Sequence, residues 1–439
     1  MTDRWYRLLF SAVLAVLATL LFGCGSTPAD LQPIDDERRT LHVESFDYIW
    51  QTVKDRHWDP EVYGESWDSA RDDLRPEVEA AATDREARRS MRKLLERTGQ
   101  SHFGLFPAEI YGRLEADGGE ASVGIEARLR DDAVLVVRVR EGSPAYQAGV
   151  RPGWEIVRVG ERGIDGIIEA AGDVEEASDA PNRVDTTVGR TVESLLSGAS
   201  DGMVEVTFID QRGDEVVLDL GREIPPGNVV SFGNLPEMYI SHETRTLAEG
   251  IGYFRFSAFF DPVVIMPAYQ RAVVNHREAP GFVIDLRGNP GGIITMAPGM
   301  AGWFIDEKQI RLGTMLMRDQ EFKLVINPRR PKFGGRVAVL IDELSASNAE
   351  ILSGGLKDIG AARVFGRTTA GQVLPAAAEK LPNGDRFIYA FADYDSASGQ
   401  RLEGEGVAPN EPIDETREAL LGGQDPVLDA AVAWILQGQ

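Results

Sequence analysis

A chain of 439 residues exceeds the ~100–200 residues of one ordinary domain and calls for two or three. Its 43% hydrophobic content is that of chains with real cores and excludes a wholly disordered protein. The formal net charge of −24 excludes a broad basic surface for nucleic acid or anionic lipid, and a single cysteine excludes both an intramolecular disulfide and a cysteine-built metal site.

Residues 1–23 place Arg4 and Arg7 before an unbroken apolar run and then small residues, the pattern of a secretory signal peptide; an uncleaved membrane anchor is the competing reading. The end of the run, LFGC, resembles a bacterial lipobox, although Phe22 departs from the usual pattern. That resemblance implies a lipidated Cys24 at the mature N-terminus, and hence an exported protein of the cell envelope or periplasm, held to a membrane by lipid. The prolines and charges of 24–40 suit a tether.

Over 41–118, apolar residues recur at helical spacing in FDYIWQTVKDRHW and REARRSMRKLLERTG, with Gly99 as a stop, which predicts a small helical domain. Over 119–224 the pattern changes to short β-rich runs, SVGIEARL, AVLVVRV, EIVRVG and VEVTFIDQRGDEVVLDLG, the last turning at Arg212-Gly213. Ile164 to Val188 reads as an acidic insertion in this unit. The stretch EGSPAYQAGVRPGWEIVRVG resembles the PDZ domain of bacterial carboxyl-terminal processing proteases. The resemblance puts Ser122, Val123, Gly124 and Ile125 on a loop whose amides hold a peptide's terminal carboxylate. A β-barrel that binds nothing is the plainer alternative. From 225 to 439, GIGYFRF, GFVIDLR, RVAVLID and ARVFG are compact apolar strands separated by loops or helices, an α/β pattern.

Two stretches of this last region carry chemistry. In DLRGNPGG, Asp285 to Gly292, the glycines allow close backbone approach and free amides to face a developing oxyanion, though NPGG is also an ordinary turn. In IDELSASNAEILSGGL, residues 341–356, an apolar strand meets a turn with two serines and then a helix. Ser347 and Glu350 have the spacing of a capping box, a structural role that is compatible with a serine exposed on a sharp turn. No GxSxG elbow surrounds it, which speaks against an α/β-hydrolase.

Together these segments resemble peptidase family S41, the tail-specific and tricorn-like proteases. The resemblance implies a nucleophile at Ser347, aligned on Glu350, with oxyanion donors at Asn348 and at Gly291 or Gly292. The Ser-Lys dyad of the carboxyl-terminal processing branch is absent, because in GRTTAGQVLPAAA Gln372 stands at the lysine position and Ala376 at the glutamine position. A glutamine amide cannot serve as a base. The tricorn-like branch places a histidine after a serine ahead of its PDZ domain, and RTGQSHFGLF offers Ser101 and His102. RLEGEGVAPN puts Glu403 at that branch's glutamate, with Glu405 in reserve and Asn410 in place of the usual Asp. The implied relay runs from Ser347 to His102, oriented by Ser101 and then Glu403. Lys380 is a weak alternative base before the LPNG turn, and His42, His57, His242 and His276 read as solvated.

The expected fold class is therefore multidomain α+β: a helical N-terminal domain, a β-rich PDZ domain and, by family implication, an α/β protease core of the ClpP/crotonase type. The expected function is a serine endopeptidase for exported proteins or peptides, needing no cofactor and no metal. The rivals are a non-catalytic PDZ-containing binding protein on a decayed core, and an acyl-transfer activity using the same oxyanion hole.

Overall fold

The computed structural model describes residues 31–59, 64–109, 121–173, 182–235 and 237–438. The signal segment, Cys24 and the first part of the tether lie outside them.

Three helices open the described chain: α1 (Asp36–Arg56), α2 (Glu65–Glu79) and α3 (Asp84–Glu96). Asp35 caps α1 by accepting from the Arg38 amide at 2.7 Å, and Thr83 caps α3 through the Glu86 amide at 3.2 Å. Their apolar stripes bury Phe46, Ile49, Val53, Val78, Met91 and Leu94, in a cluster that also takes in Phe387 and Tyr389 from the far end of the chain. The link is β1 (Gly104–Phe106), which pairs antiparallel with residues 386–388. Beside it, Arg88 is buried against the Asp385 carboxylate at 2.7 and 2.9 Å. His42 and His57, expected in solvent, are fully buried: His42 bonds Asp84 and Asn383, and His57 bonds Gln100. Histidine spacing alone carried no sign of those partners. His242 is exposed as expected, whereas His276 is half-buried between Thr246 and the Ala272 carbonyl.

The middle unit is an antiparallel sheet, β2 (Ile125–Arg130), β3 (Ala133–Val139), β4 (Glu155–Val159), β5 (Met203–Ile209) and β6 (Glu215–Gly221), in that spatial order. Its core holds Val123, Ala127, Val134, Val136, Ile156, Val206 and Phe208. Of the stretch read as an acidic insertion, residues 174–181 lie outside the described residues, and the described parts on either side join this core. Helices α4 (Ile164–Asp173) and α5 (Arg183–Leu196) bury Ile164, Ile167, Ala171, Val188, Val192 and Leu196 in the same cluster. Apolar residues at helical spacing outweigh the acidic composition there. The other face of α5 meets the C-terminal unit: Thr186 Oγ1 donates to the Glu343 carbonyl at 2.9 Å, and Gly189 lies against Leu344.

The C-terminal unit is built on β7 (His242–Thr246), β8 (Gly252–Phe256), β9 (Gly281–Asp285), β10 (Arg336–Ile341), β11 (Arg363–Gly366) and β12 (Glu411–Pro412), adjacent in that order and parallel except for the first pair. Both faces are covered, which is why these strands read as continuous apolar runs. Phe282, Ile284, Val337, Val339 and Ile341 face one cluster, while Val283, Ala338 and Leu340 face Val427, Ala431 and Ile435 of the last helix. Because β9 and β10 are parallel neighbours, the loops leaving their carboxyl ends, 286–295 and 342–347, start side by side. Open α/β sheets place their crevice at that edge.

Candidate active site

Ser347 stands where β10 turns into helix α6 (Asn348–Asp358), with φ 52° and ψ −117°. A non-glycine residue in that region is strained, and strain of this kind persists only where surrounding bonds hold it. Asp342 supplies several of them. Its Oδ1 accepts from the amides of Gly288, Leu344 and Ser345 at 2.8 to 3.1 Å, tying the Ser347 turn to the 286–292 loop. Ser345 is fully buried, and its hydroxyl donates to the Leu286 carbonyl at 2.8 Å, whereas Ser347 retains some exposure. Of the two serines in the turn, Ser345 is spent on structure.

Ser347 and Glu350 do form the capping box. Glu350 does more than cap: its two oxygens accept from the Ser347 amide (2.8 Å), the Gln372 amide (3.0 Å), the Gly371 amide (2.8 Å) and the Thr369 hydroxyl (2.5 Å). Burial pushes its carboxyl up to about 7 against the pull of those four donors. The Gln372 carbonyl also accepts from the Ser347 amide at 2.8 Å.

Gly291 lies against Ser347. A Cβ there would lie 2.7 Å from both the Asn348 nitrogen and Ser347 Cβ, and its φ of +94° independently favours glycine. Its amide is committed to Asn289 Oδ1 at 2.9 Å. Among the described residues no backbone acceptor serves the amides of Gly292 and Asn348. The Asn348 side chain donates to the Ile293 carbonyl at 2.8 Å, leaving its buried Oδ1 without a partner.

His102 sits just ahead of β1, also at positive φ (60°). The pairing of β1 with the strand at 386–390 carries it across the chain to the core. Its Nδ1 is 2.7 Å from Ser101 Oγ, and its Nε2 is buried with no hydrogen-bond partner among the described residues. Burial, and then the charge of Arg190, hold the imidazole down to about 3. Glu403 accepts from the Ser101 amide at 3.1 Å and the Val373 amide at 2.9 Å, and burial raises its carboxyl above the usual range. The four segments are thus fastened in series, Ser101 to Glu403, Glu403 to Val373, and Gln372 to Ser347. Ser347 and His102 share no direct hydrogen bond; such bonds are commonly loose before substrate binds.

Gln372 projects its Oε1 to the Arg190 guanidinium at 2.6 Å. Lys380 is exposed at a hairpin end, opposite Arg386. Glu405 is exposed and bonded to Gln400. Ser122 to Ile125 lie at the start of β2: the Ser122 amide bonds the Glu223 carbonyl at 3.0 Å, and Val123 is core. Sequence reasoning missed Arg190, Asp342 and Asn289. Arg190 had a legible signal, because Thr186, Gly189, Arg190 and Glu193 share one face of α5 at helical spacing. No group of side chains suited to a metal ion occurs among the described residues, and none of their helices is long and apolar enough to cross a membrane.

Residues 250–413 match the family model of Peptidase family S41, and residues 41–96 that of the Tricorn protease C1 domain. The first span holds Gly291, Ser347, Gln372 and Glu403; neither span reaches Ser101 or His102. The chain is similar to the chloroplastic carboxyl-terminal-processing peptidase 3 of Arabidopsis thaliana, with 25% identity over 373 residues, 82% of this chain and 67% of the relative. It is also similar to a "Probable CtpA-like serine protease" of Staphylococcus aureus strain COL, with 24% identity over 299 residues, 68% of this chain and 53% of the relative. The chain thus spans about half the length of the staphylococcal protein. Among solved structures, a photosystem II D1 C-terminal processing protease has a TM-score of 0.58 at 21% identity, covering 87% of this chain and 94% of that one. Mature CPAF has a TM-score of 0.59 at 12% identity, covering 91% and 96%. These likenesses establish the shared fold.

Proposed function

Given that this chain belongs to peptidase family S41, through the domain at residues 250–413, we propose that it is a serine endopeptidase working through Ser347, His102, Ser101 and Glu403. The observation that carries this reading is the buried, unpartnered Nε2 of His102, with Nδ1 held by Ser101. A buried ring nitrogen without a partner is costly unless something else meets it. In the proposed cycle Nδ1–H donates to Ser101 Oγ, which makes Nε2 the acceptor. Nε2 takes the Ser347 proton as Oγ attacks the peptide carbonyl and passes it to the leaving amine; it then takes a proton from a water that attacks the acyl-enzyme and returns it to Ser347 Oγ as the acid product leaves. The Gly292 and Asn348 amides stabilise the oxyanion, aided by the positive end of α6. Gly291 contributes by having no side chain to fill that space. Glu403 orients Ser101 and favours the imidazolium.

The reading extends to the rest of the molecule. Residues 119–224 act as a PDZ domain in which Ser122, Val123, Gly124 and Ile125 recognise extended or C-terminal segments, and the core is of the ClpP/crotonase type. The names of the relatives support carboxyl-terminal processing as the activity. Signal cleavage and lipidation at Cys24 place the enzyme on a bacterial envelope membrane; a mature chain beginning elsewhere, by mass spectrometry, refutes this.

The experiment is labelling with a fluorophosphonate probe. Wild type is expected to label at Ser347, and Ser347→Ala to lose both labelling and peptide cleavage while staying folded. An unlabelled, inactive wild type points instead to a binding protein on a decayed core.

A further inference from the structure

Arg190 is out of place for a structural cation. It is 4% exposed, its Nη2 has no hydrogen-bond partner among the described residues, and its Nη1 meets only the neutral Gln372 amide. The carboxylates that act on it, Glu350 and Glu193, do so through space, without a hydrogen bond. Glu193 pairs with Arg128 at 2.6 Å, and Glu350 already accepts from four donors. Burial lowers the guanidinium to about 10, so it stays charged at neutral pH. A buried charge with no hydrogen-bonded countercharge is among the more expensive arrangements in a folded protein. This one sits beside the residue that binds Ser347 and close enough to depress His102.

We propose that Arg190 is the receptor for a substrate side-chain carboxylate, so that the preferred substrates are peptides with an Asp or Glu close to the scissile bond. The inference rests on the reading of Ser347 and His102 as nucleophile and base. A guanidinium fork with Nη2 free meets a carboxylate in its preferred geometry, and the pair forms in a dry site where it is strong. The bound carboxylate would also offset the positive charge that weakens His102, so that the base strengthens as the right substrate arrives.

The test is a peptide series cut at one bond, each member made with Glu or Gln, and Asp or Asn, on either side of that bond, and with a free or amidated C-terminus. For wild type, kcat/KM is expected to favour a carboxylate form over its neutral partner by about ten- to a hundredfold, the range of a charge-assisted hydrogen bond. A ratio that follows only the terminal arm belongs to recognition of the chain end and overturns the side-chain receptor. Arg190→Gln should bring the ratio near one, Arg190→Lys should keep part of it, and Arg190→Glu should reverse it in favour of the neutral members. A wild-type ratio near one, or an Arg190→Gln enzyme slowed equally on all members, overturns the proposal in favour of a role in positioning Gln372. Fluorophosphonate labelling of wild type keeps the two readings apart: labelling with a flat ratio sinks only the carboxylate receptor, and absent labelling sinks the nucleophile and the receptor with it.

Discussion

Arg128 of β2 donates through Nε to Asp342 Oδ2 at 2.8 Å, with both side chains almost wholly buried. Since Oδ1 of the same carboxylate holds Gly288, Leu344 and Ser345, one aspartate joins the middle sheet, the glycine loop and the Ser347 turn. Burial opposes its charge, but Arg128 and the Gly288 amide keep its carboxyl below the ordinary value. Arg128→Met strands Asp342 as a buried carboxylate, leaves the half-buried Glu193 unpaired, and should cost about 3–5 kcal/mol. Denaturant unfolding measures this, and a loss under 1 kcal/mol contradicts it.

Ser345→Ala removes a hydroxyl bonded to Leu286 and should cost about 1–3 kcal/mol of stability while probe labelling persists. Ser347→Ala should do the reverse, with little change in Tm and no labelling. The opposite pattern would move the nucleophile by two residues.

Gly291→Ala drives a methyl group to 2.7 Å from the Asn348 nitrogen at a backbone angle that alanine tolerates poorly. A fall of at least roughly a hundredfold in kcat is expected, the scale of losing one oxyanion donor. Steady-state kinetics beside a thermal melt separates this from unfolding, and a fully active variant refutes the contact.

His102→Ala should lose roughly two to four orders of magnitude in rate. Because burial and Arg190 depress the wild-type imidazole to about 3, it should stay neutral through mildly acid pH, which its NMR titration can follow. The sign for stability follows: a depressed folded pKa stabilises above the unfolded value of ~6.5, and that contribution is lost as pH falls toward 3. A free-enzyme imidazole titrating at 6.5 contradicts this.

Glu350, with its carboxyl raised to about 7, is the group expected to shape activity near neutrality. Below that pH its protonation weakens the four bonds that hold Ser347 to the 369–372 turn, so kcat/KM should rise with pH through about 7. Stability should move the other way: a raised folded pKa contributes fully below ~4.3 and is lost as pH rises through 7. Glu350→Gln should remove the kinetic limb at 7, and a variant that keeps it returns the limb to another group.

The apolar runs at 281–285 and 336–341, the capping spacing of Ser347 and Glu350, and the glycines of 288–292 were legible because each depends on neighbours a few residues away. Strand period, helix caps and positive-φ turns are local physics, and composition alone set aside nucleic acid and disulfides. The absence of the lysine at 372 was also plain in the sequence. The fate of His42 and His57 and the packing of Ile164–Asp173 and Arg183–Leu196 were not, since their partners stand on other segments. No periodicity says that β1 joins the strand at 386–390, yet that pairing brings His102 to the core. Likewise only the docking of α5 against the C-terminal unit sets Arg190 on Gln372. Burial and the loss of solvent around a charge depend on which surfaces meet. The tertiary structure therefore decided the electrostatics of the site, while the sequence determined which groups were there to be tuned.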